Sequence, residues 1–412
     1  MKKIFQIIML FCLALSIAAC STASLSGKAD VSYVRQVITA DSTTSRTIMW
    51  QSGSLQKDAK VEYRLKGSEK VQSAAATGEE FRDNKTTTYI YTAVLEYLTP
   101  GTAYEYRVGF DNNFNEWQSL KTAKGTNFKA LIFPDSQSDG YGEWQKLAQD
   151  AYKVNKTAQF FINMGDLVDN GEDHKQWNAW FDAVKDIVDV IPVAPVMGNH
   201  ETYNLAWKMR MPVAYLHLFN LPQQGVEEAY KNQYYSFDYG DVHFVVLNTQ
   251  LVEMGEFQPE LQAVQQAWFK ADMAKTAKKW KVVLMHKDPL QYAFATRPQP
   301  REEGFSDEGK EWMPLFDKYG IDAVISAHLH TYRNRGHIKN FVRDASGPLY
   351  ILTGIAGNVR YPGLWKQHKL DERIAPQPET DNYMTMEAGE DSLKFEAFLP
   401  DGKKIDSVEI KK

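Results

Sequence analysis

The stretch PVMGNHE, residues 195–201, decides how the rest of the chain is read. An apolar run climbs through Ile191, Val193 and Val196 as if toward a buried strand, then stops at Gly198, Asn199, His200 and Glu201. A strand bound for a core gains nothing from an amide, an imidazole and a carboxylate at its end unless they do chemistry there. Four other apolar runs end the same way. FKALIF (128–133) runs into Pro134-Asp135-Ser136-Gln137, and FFINM (160–164) into Gly165-Asp166-Leu167-Val168-Asp169. WKVVLM (280–285) delivers His286, and DAVIS (322–326) delivers Ala327-His328-Leu329-His330. In open α/β sheets, ligands gather at the carboxyl ends of the strands, so five such endings point into one site.

Carboxylates, imidazoles and an amide oxygen, with no thiolate, suit Zn, Fe or Mn. One ion cannot use Asp135, Asp166, Asn199, His286, His328 and His330 together without crowding. Two ions can, if one carboxylate bridges them. Ions about 3.5–4 Å apart form the clamp used for in-line displacement at phosphorus, and they lower the pKa of a shared water. Side chains at alternate strand positions face one side, so His328 and His330 are expected to project together from a strand end.

The chain divides near residue 125. From Val31 to Ala123 the runs RTIMW, AKVEYRL, TYIYTAVL and AYEYRVGF are β-branched and aromatic, separated by turn residues such as Ser52-Gly53 and Pro100-Gly101. Tyr104, Tyr106, Val108 and Phe110 alternate, as one buried face requires. This predicts an N-terminal all-β sandwich over 31–124; LTPGTAYEYRV (98–108) resembles a fibronectin type III strand with its tyrosine corner. Beyond it, strand-like runs alternate with helical ones, predicting an α/β domain over 125–412. In HKQWNAWFDAVKDIV (174–188), Trp177, Trp180, Phe181, Val184, Ile187 and Val188 fall on one helical stripe. LQAVQQAW (261–268) repeats the pattern with Leu261, Val264 and Trp268.

The first 19 residues read as an export leader: Lys2 and Lys3, then an apolar stretch from Ile4 to Ala19. The stretch is short for a membrane span, which needs about 20 apolar residues. Its end, Ser16-Ile17-Ala18-Ala19-Cys20, resembles a bacterial lipoprotein box, which implies lipid on Cys20, a polar tether over 20–30 and an exported, membrane-anchored protein of the cell envelope. Cys12 lies in the leader, so the chain after it holds one cysteine and no internal disulfide. A chain this long builds its cores without one. Losing Lys2 and Lys3 leaves 45 basic against 52 acidic residues, a balance of −7. That charge gives no bulk attraction to nucleic acid.

GDLVD (165–169), GNHE (198–201), VLMH (283–286) and AHLHTYR (327–333), in that order, resemble the calcineurin-like metallophosphoesterase superfamily. More narrowly they resemble purple acid phosphatase-type enzymes, which carry an N-terminal fibronectin-like domain. YYSFDYGDVHFVVLNT (234–249), GPLYILTG (347–354) and DGKKIDSVEI (401–410) extend the likeness toward the C-terminus. The resemblance implies a β-sandwich core flanked by helices around two ions (Fe, Zn or Mn). It makes Asp166 the bridging carboxylate. Asp135 and His330 complete one metal; Asn199, His286 and His328 complete the other. His200 matches the family's non-ligand histidine, the general acid for the leaving oxygen. The implied reaction is hydrolysis of a small phosphate monoester by in-line attack of metal-bound hydroxide. A phosphodiesterase or nucleotidase on the same metals, and a non-catalytic surface binding protein on this frame, are the rivals.

Three departures feed that last rival. Asp169 stands where purple enzymes have a metal-binding tyrosine, and reads better as a turn or supporting residue than as a ligand. Gln137 stands where many relatives have histidine, and offers a weak oxygen ligand or none. Ala327 replaces the usual glycine, a small change if its backbone is extended. His243 reads as a packed strand residue, and His217 and His368 lack ligand-rich company. His174 opens a helix near the second motif, and His337 is placed near the rim. Tyr332 and Arg333 are open to either a structural or a phosphate-binding role. The segment 294–309 is breaker-rich and reads as a loop beside the site.

Overall fold

The computed structural model describes residues 30–376 and 379–412. The leader, Cys20 and most of the tether lie outside the described residues. No described helix is long and apolar enough to cross a membrane.

Tyr104, Tyr106, Val108 and Phe110 are all buried along the strand Ala103–Phe110, as their alternation requires. With Ile48, Trp50, Val61, Tyr91 and Leu120 they fill a small core between two sheets. The Tyr104 hydroxyl accepts the Thr99 N–H at 2.9 Å, pinning the corner ahead of its own strand. Sequence reading misses the strands Gln72–Ala75 and Thr77–Asp83, because most of their residues are polar and exposed.

The C-terminal half is a second, larger sandwich. Phe128–Phe133, Phe160–Asn163 and Val193–Pro195 run parallel in one sheet. Val242–Leu247, Trp280–Met285 and Ala323–Ser326 run parallel in the other. Rings join the facing sheets: Phe160 meets Phe237 at 5.9 Å and Phe244 at 5.7 Å between centroids. The predicted helix is His174–Val188, capped where Asp173 accepts the Lys175 N–H at 2.9 Å. Its six stripe residues are buried, each stabilising the fold by roughly 1.5–3 kcal/mol. It packs beside Gly142–Val154 through Trp144 and Trp180. Helices Leu261–Met273 and Asp307–Tyr319 meet through Phe269 and Trp312. Val264 is only half-buried; Phe269 takes the deep position. The last three residues of segment 294–309 belong to the Asp307 helix, whose N-cap Ser306 accepts the Gly309 N–H.

The two halves are not merely strung together. Val37 pairs in parallel with Val193, which joins the strand Ser32–Val37 to the sheet that holds Phe128–Phe133 and makes one ten-stranded sheet. The Tyr106 hydroxyl donates to the Asp189 carbonyl at 2.7 Å across the same junction.

His243, expected to be simply packed, is buried as a charge. Nδ1 lies 2.7 Å from Asp238 Oδ1 and Nε2 lies 2.9 Å from Asp272 Oδ2, tying its strand to helix Leu261–Met273. Burial lowers its pKa, but the two carboxylates outweigh that and push it up to about 9. A folded pKa above the unfolded one, about 6.5, adds stability that is complete below 6.5 and lost as pH rises through 9. Stability is therefore expected to fall by up to about 3 kcal/mol between pH 6.5 and 9 from this group. Urea unfolding of wild type and His243→Gln across that window checks it; equal pH slopes would refute it.

Candidate metal centre

The site is built by turns that the backbone makes only with difficulty. Gly165 (φ +99) and Asp166 (φ +46) leave the strand Phe160–Asn163 through the left-handed region. A Cβ on Gly165 would lie 2.4 Å from His286 Nδ1, and one on Gly198 would lie 2.1 Å from Asp166 Oδ1. Only glycine lets the two turns and the imidazole approach this closely. His328 (φ +77) and His330 (φ +52) sit in a bend after Ala323–Ser326. The expected strand-end alternation is therefore wrong. A left-handed residue at each histidine, and not the period of a strand, turns both imidazoles inward. Such φ values at bulky residues cluster at functional sites.

Glu201 holds the turns together. Its buried carboxylate accepts N–H groups from Gly198 (2.6 Å) and Asp166 (3.1 Å) on Oε2, and from Leu167 (2.8 Å) and Val168 (3.3 Å) on Oε1. Burial and the nearby Asp166 push its pKa up to about 7, against the pull of the Gly198 N–H. Sequence reading quotes this residue but assigns it no task.

All six expected ligands converge. Asp135, Asp166 and His330 place one donor atom each within 4.8 Å of one another, and so do Asp166, His286 and His328; Asp166 belongs to both groups. Asn199 Oδ1 lies 3.2 Å from His286 Nε2. The tautomers are fixed from outside. His286 Nδ1–H donates to the Met164 carbonyl at 2.9 Å, and His330 Nδ1–H to the Val359 carbonyl at 2.7 Å. Each ring thus turns Nε2 toward carboxylate oxygens 3.1 Å away, Asp166 for His286 and Asp135 for His330. Burial would lower the His286 pKa, but Asp166 and Asp135 push it up to about 9. Imidazole nitrogens and carboxylate oxygens crowded this closely, with each Nδ1 already held by a carbonyl, are a donor set that fits metal ions. Burial alone would raise Asp166, but His286 and His200 hold its carboxyl well below the usual range. Burial and His286 keep the His328 imidazole well below its usual pKa, hence neutral.

His200 stands beside this cluster without joining it. Its backbone N–H donates to Asp166 Oδ1 at 2.8 Å, and its Nδ1–H to the Asp169 carbonyl at 2.6 Å. A carbonyl only accepts, so Nε2 is the atom left for the cleft. The Asp169 side chain lies 3.6 Å from the same Nδ1 and belongs to neither ligand group. Gln137 is buried with Nε2 2.9 Å from His330 Nε2, and its Oε1 has no hydrogen-bond partner among the described residues. Ala327 is buried with negative φ and needs no glycine.

The cleft over the cluster, about 320 Å³, is lined also by Phe294, Arg297, Arg301, Tyr361 and Trp365. Tyr361 stacks on His330 at 4.9 Å. Arg297 and Arg301 cover the Phe294 ring at 5.1 and 5.4 Å; neither forms a direct ion pair among the described residues, though Asp288 and Glu308 act on Arg301 from a distance. The remaining histidines lie elsewhere. His174 and His217 stack on Phe81, His337 Nδ1–H donates to the Gly347 carbonyl, and His368 meets the Gly304 carbonyl. Tyr332 binds Asp406 and Arg333 binds Asp371, both structural.

Residues 128–332 match the family model described as calcineurin-like phosphoesterase, and residues 31–122 that of the purple acid phosphatase N-terminal domain. The chain is 30% identical over 187 residues to purple acid phosphatase 23 of Arabidopsis thaliana, covering 45% of this chain and 38% of the relative. It is 24% identical over 297 residues to acid phosphatase type 7 of Homo sapiens, covering 65% and 64%. The chain thus spans less than two thirds of either relative. In fold it resembles a purple acid phosphatase from yellow lupin seeds, with a TM-score of 0.71 at 18% identity over 93% of this chain and 74% of that one.

Glu201→Gln would turn an amide NH₂ toward two of the backbone N–H groups that the carboxylate now receives. The change is expected to lower stability by about 3 kcal/mol and to weaken metal binding roughly 10- to 100-fold. Chemical denaturation and metal content of the purified variant check this; wild-type values in both would show that Glu201 does not hold the turns.

Proposed function

Because the chain carries a calcineurin-like phosphoesterase domain behind a purple acid phosphatase N-terminal domain, we propose that it is a metal-dependent phosphatase acting on small phosphate monoesters. The observation that carries the reading is the pair of ligand groups sharing Asp166, with His200 fastened to that same carboxylate. Asp135 and His330 would hold one ion, Asn199, His286 and His328 the other, and Asp166 both. When bound, such ions supply Lewis acidity toward phosphoryl oxygens and make water acidic enough to act as nucleophile near neutral pH.

The chain's own residues do the rest. Asp169's carbonyl fixes the His200 tautomer, so a proton taken up on Nε2 can pass to the departing oxygen. Arg297 and Arg301 place guanidinium donors on the cleft wall, beside Asp288 and Glu308, where an anionic ester can use them and a neutral one cannot. Asp169 and Ala327 leave the six ligands in place, and Gln137 meets them only at His330, which weighs against an inactive binding frame. We further propose that the enzyme works outside the cytoplasm, tethered by lipid on Cys20, a reading that rests on residues 1–20 of the sequence.

The test is hydrolysis of a chromogenic phosphate monoester by the chain lacking its first 30 residues, with Zn, Mn and Fe supplied separately and a matched diester alongside. Metal-dependent monoester turnover is expected, abolished in His328→Ala and reduced about 10²- to 10⁴-fold in His200→Ala. Turnover of the diester alone would make the enzyme a phosphodiesterase. Metal binding with neither reaction would overturn the catalytic reading.

A further inference from the structure

Next to His200 the chain builds an aromatic lip that the chemistry above does not use. Trp207 is 55% exposed, and its neighbours Leu205 and Met209 are exposed at 51% and 44%. Its ring meets His200 edge-on at 5.9 Å, and Tyr203 meets His200 at 5.7 Å and Trp207 at 5.9 Å. Trp207 also holds φ at +57, a conformation that bulky residues avoid. An exposed indole in a strained backbone is retained only where its surroundings fix it there.

Those surroundings are unusually complete. Asn204 Oδ1 accepts the N–H groups of Ala206 and Lys208, both at 2.9 Å, and the Trp207 N–H donates to the Asn204 carbonyl at 2.8 Å. Asn170 holds that carbonyl from beneath at 2.7 Å. Glu172 takes the Leu205 N–H at 2.7 Å and pairs with Arg210 at 3.1 Å. Arg210 in turn reaches Asp83 of the N-terminal sandwich at 2.8 Å. The loop is therefore a rigid platform that presents an indole to solvent beside the proton donor.

We propose that Tyr203 and Trp207 form the leaving-group subsite, and that the preferred substrates are phosphate esters of aromatic or other planar apolar alcohols. The inference rests on the phosphatase reading and its assignment of His200. If His200 protonates the departing oxygen, the group attached to that oxygen must extend past His200. The rings that flank His200 are Tyr203 and Trp207. A flat apolar group there gains edge and face contacts with the rings. A small hydrophilic alcohol gains nothing from them. Asp83 gives the N-terminal sandwich a share in this subsite, since it holds Arg210 and through it the loop.

The test compares benzyl phosphate with ethyl phosphate, whose alcohols differ little in basicity, so chemistry alone gives similar rates. Wild type is expected to favour the benzyl ester in kcat/KM by about tenfold. Trp207→Ala should reduce that preference to less than threefold, with a larger fall in kcat/KM for the benzyl than for the ethyl ester, and Trp207→Phe should keep most of it. Binding of benzylphosphonate against methylphosphonate, read by calorimetry, should show the same ordering without turnover. Equal preference in wild type and Trp207→Ala, with both esters hydrolysed, would overturn the subsite and leave the phosphatase reading standing. No hydrolysis of either ester and no phosphonate binding would overturn both.

Discussion

One carboxylate organises the centre of this molecule. Glu201 receives backbone N–H groups from two different turns, the one after Phe160–Asn163 and the one after Val193–Pro195. Each turn would otherwise leave buried donors without partners, a loss of about 1–3 kcal/mol for each group. Satisfied together by one side chain, the turns have no independent freedom. Asp166 can then hold a left-handed backbone while facing both ligand groups, and His200 can sit at a fixed hydrogen bond from it. The requirement that residues 165 and 198 be glycine follows from the same compression, since any Cβ would enter space already taken by His286 or Asp166.

The sequence made the ligand set legible because metal ligands are chemically distinctive and end apolar runs, where polar residues are conspicuous. The helix His174–Val188 and the alternation from Tyr104 to Phe110 were legible for a related reason, since each buries a periodic face. What escaped reading acts through the backbone or through exposure. Glu201 serves main-chain donors, which leave no partner pattern to read. The bend carrying His328 and His330 depends on φ values that no residue type there announces. The edge strands Gln72–Ala75 and Thr77–Asp83 are too polar to signal a buried face. His243 looked like a core residue because its two carboxylate partners lie 5 and 29 positions away.

The departures from the family pattern find physical explanations in the same geometry. At residue 169 the His200 imidazole uses the backbone carbonyl, so the hydrogen bond does not depend on which side chain stands there. Ala327 lies outside the left-handed region while the histidines after it enter it, so a methyl group is accommodated. Gln137 fills a fully buried position against His330, and its amide oxygen finds no hydrogen-bond partner among the described residues.

The single pairing of Val37 with Val193 has a consequence for how the chain could be shortened. A β-sheet that ends abruptly exposes a row of unpaired amides and carbonyls, which recruits other chains. The Val193–Pro195 strand is only three residues long and finishes in a proline that lacks a donor. It would make a poor template if bared, but the Ile38 N–H now covering the Val193 carbonyl at 3.0 Å would be gone. The N-terminal sandwich is in this sense a built-in edge guard. Excising it would trade a closed margin for one open to self-association, at the strand that leads directly into Asn199 and His200.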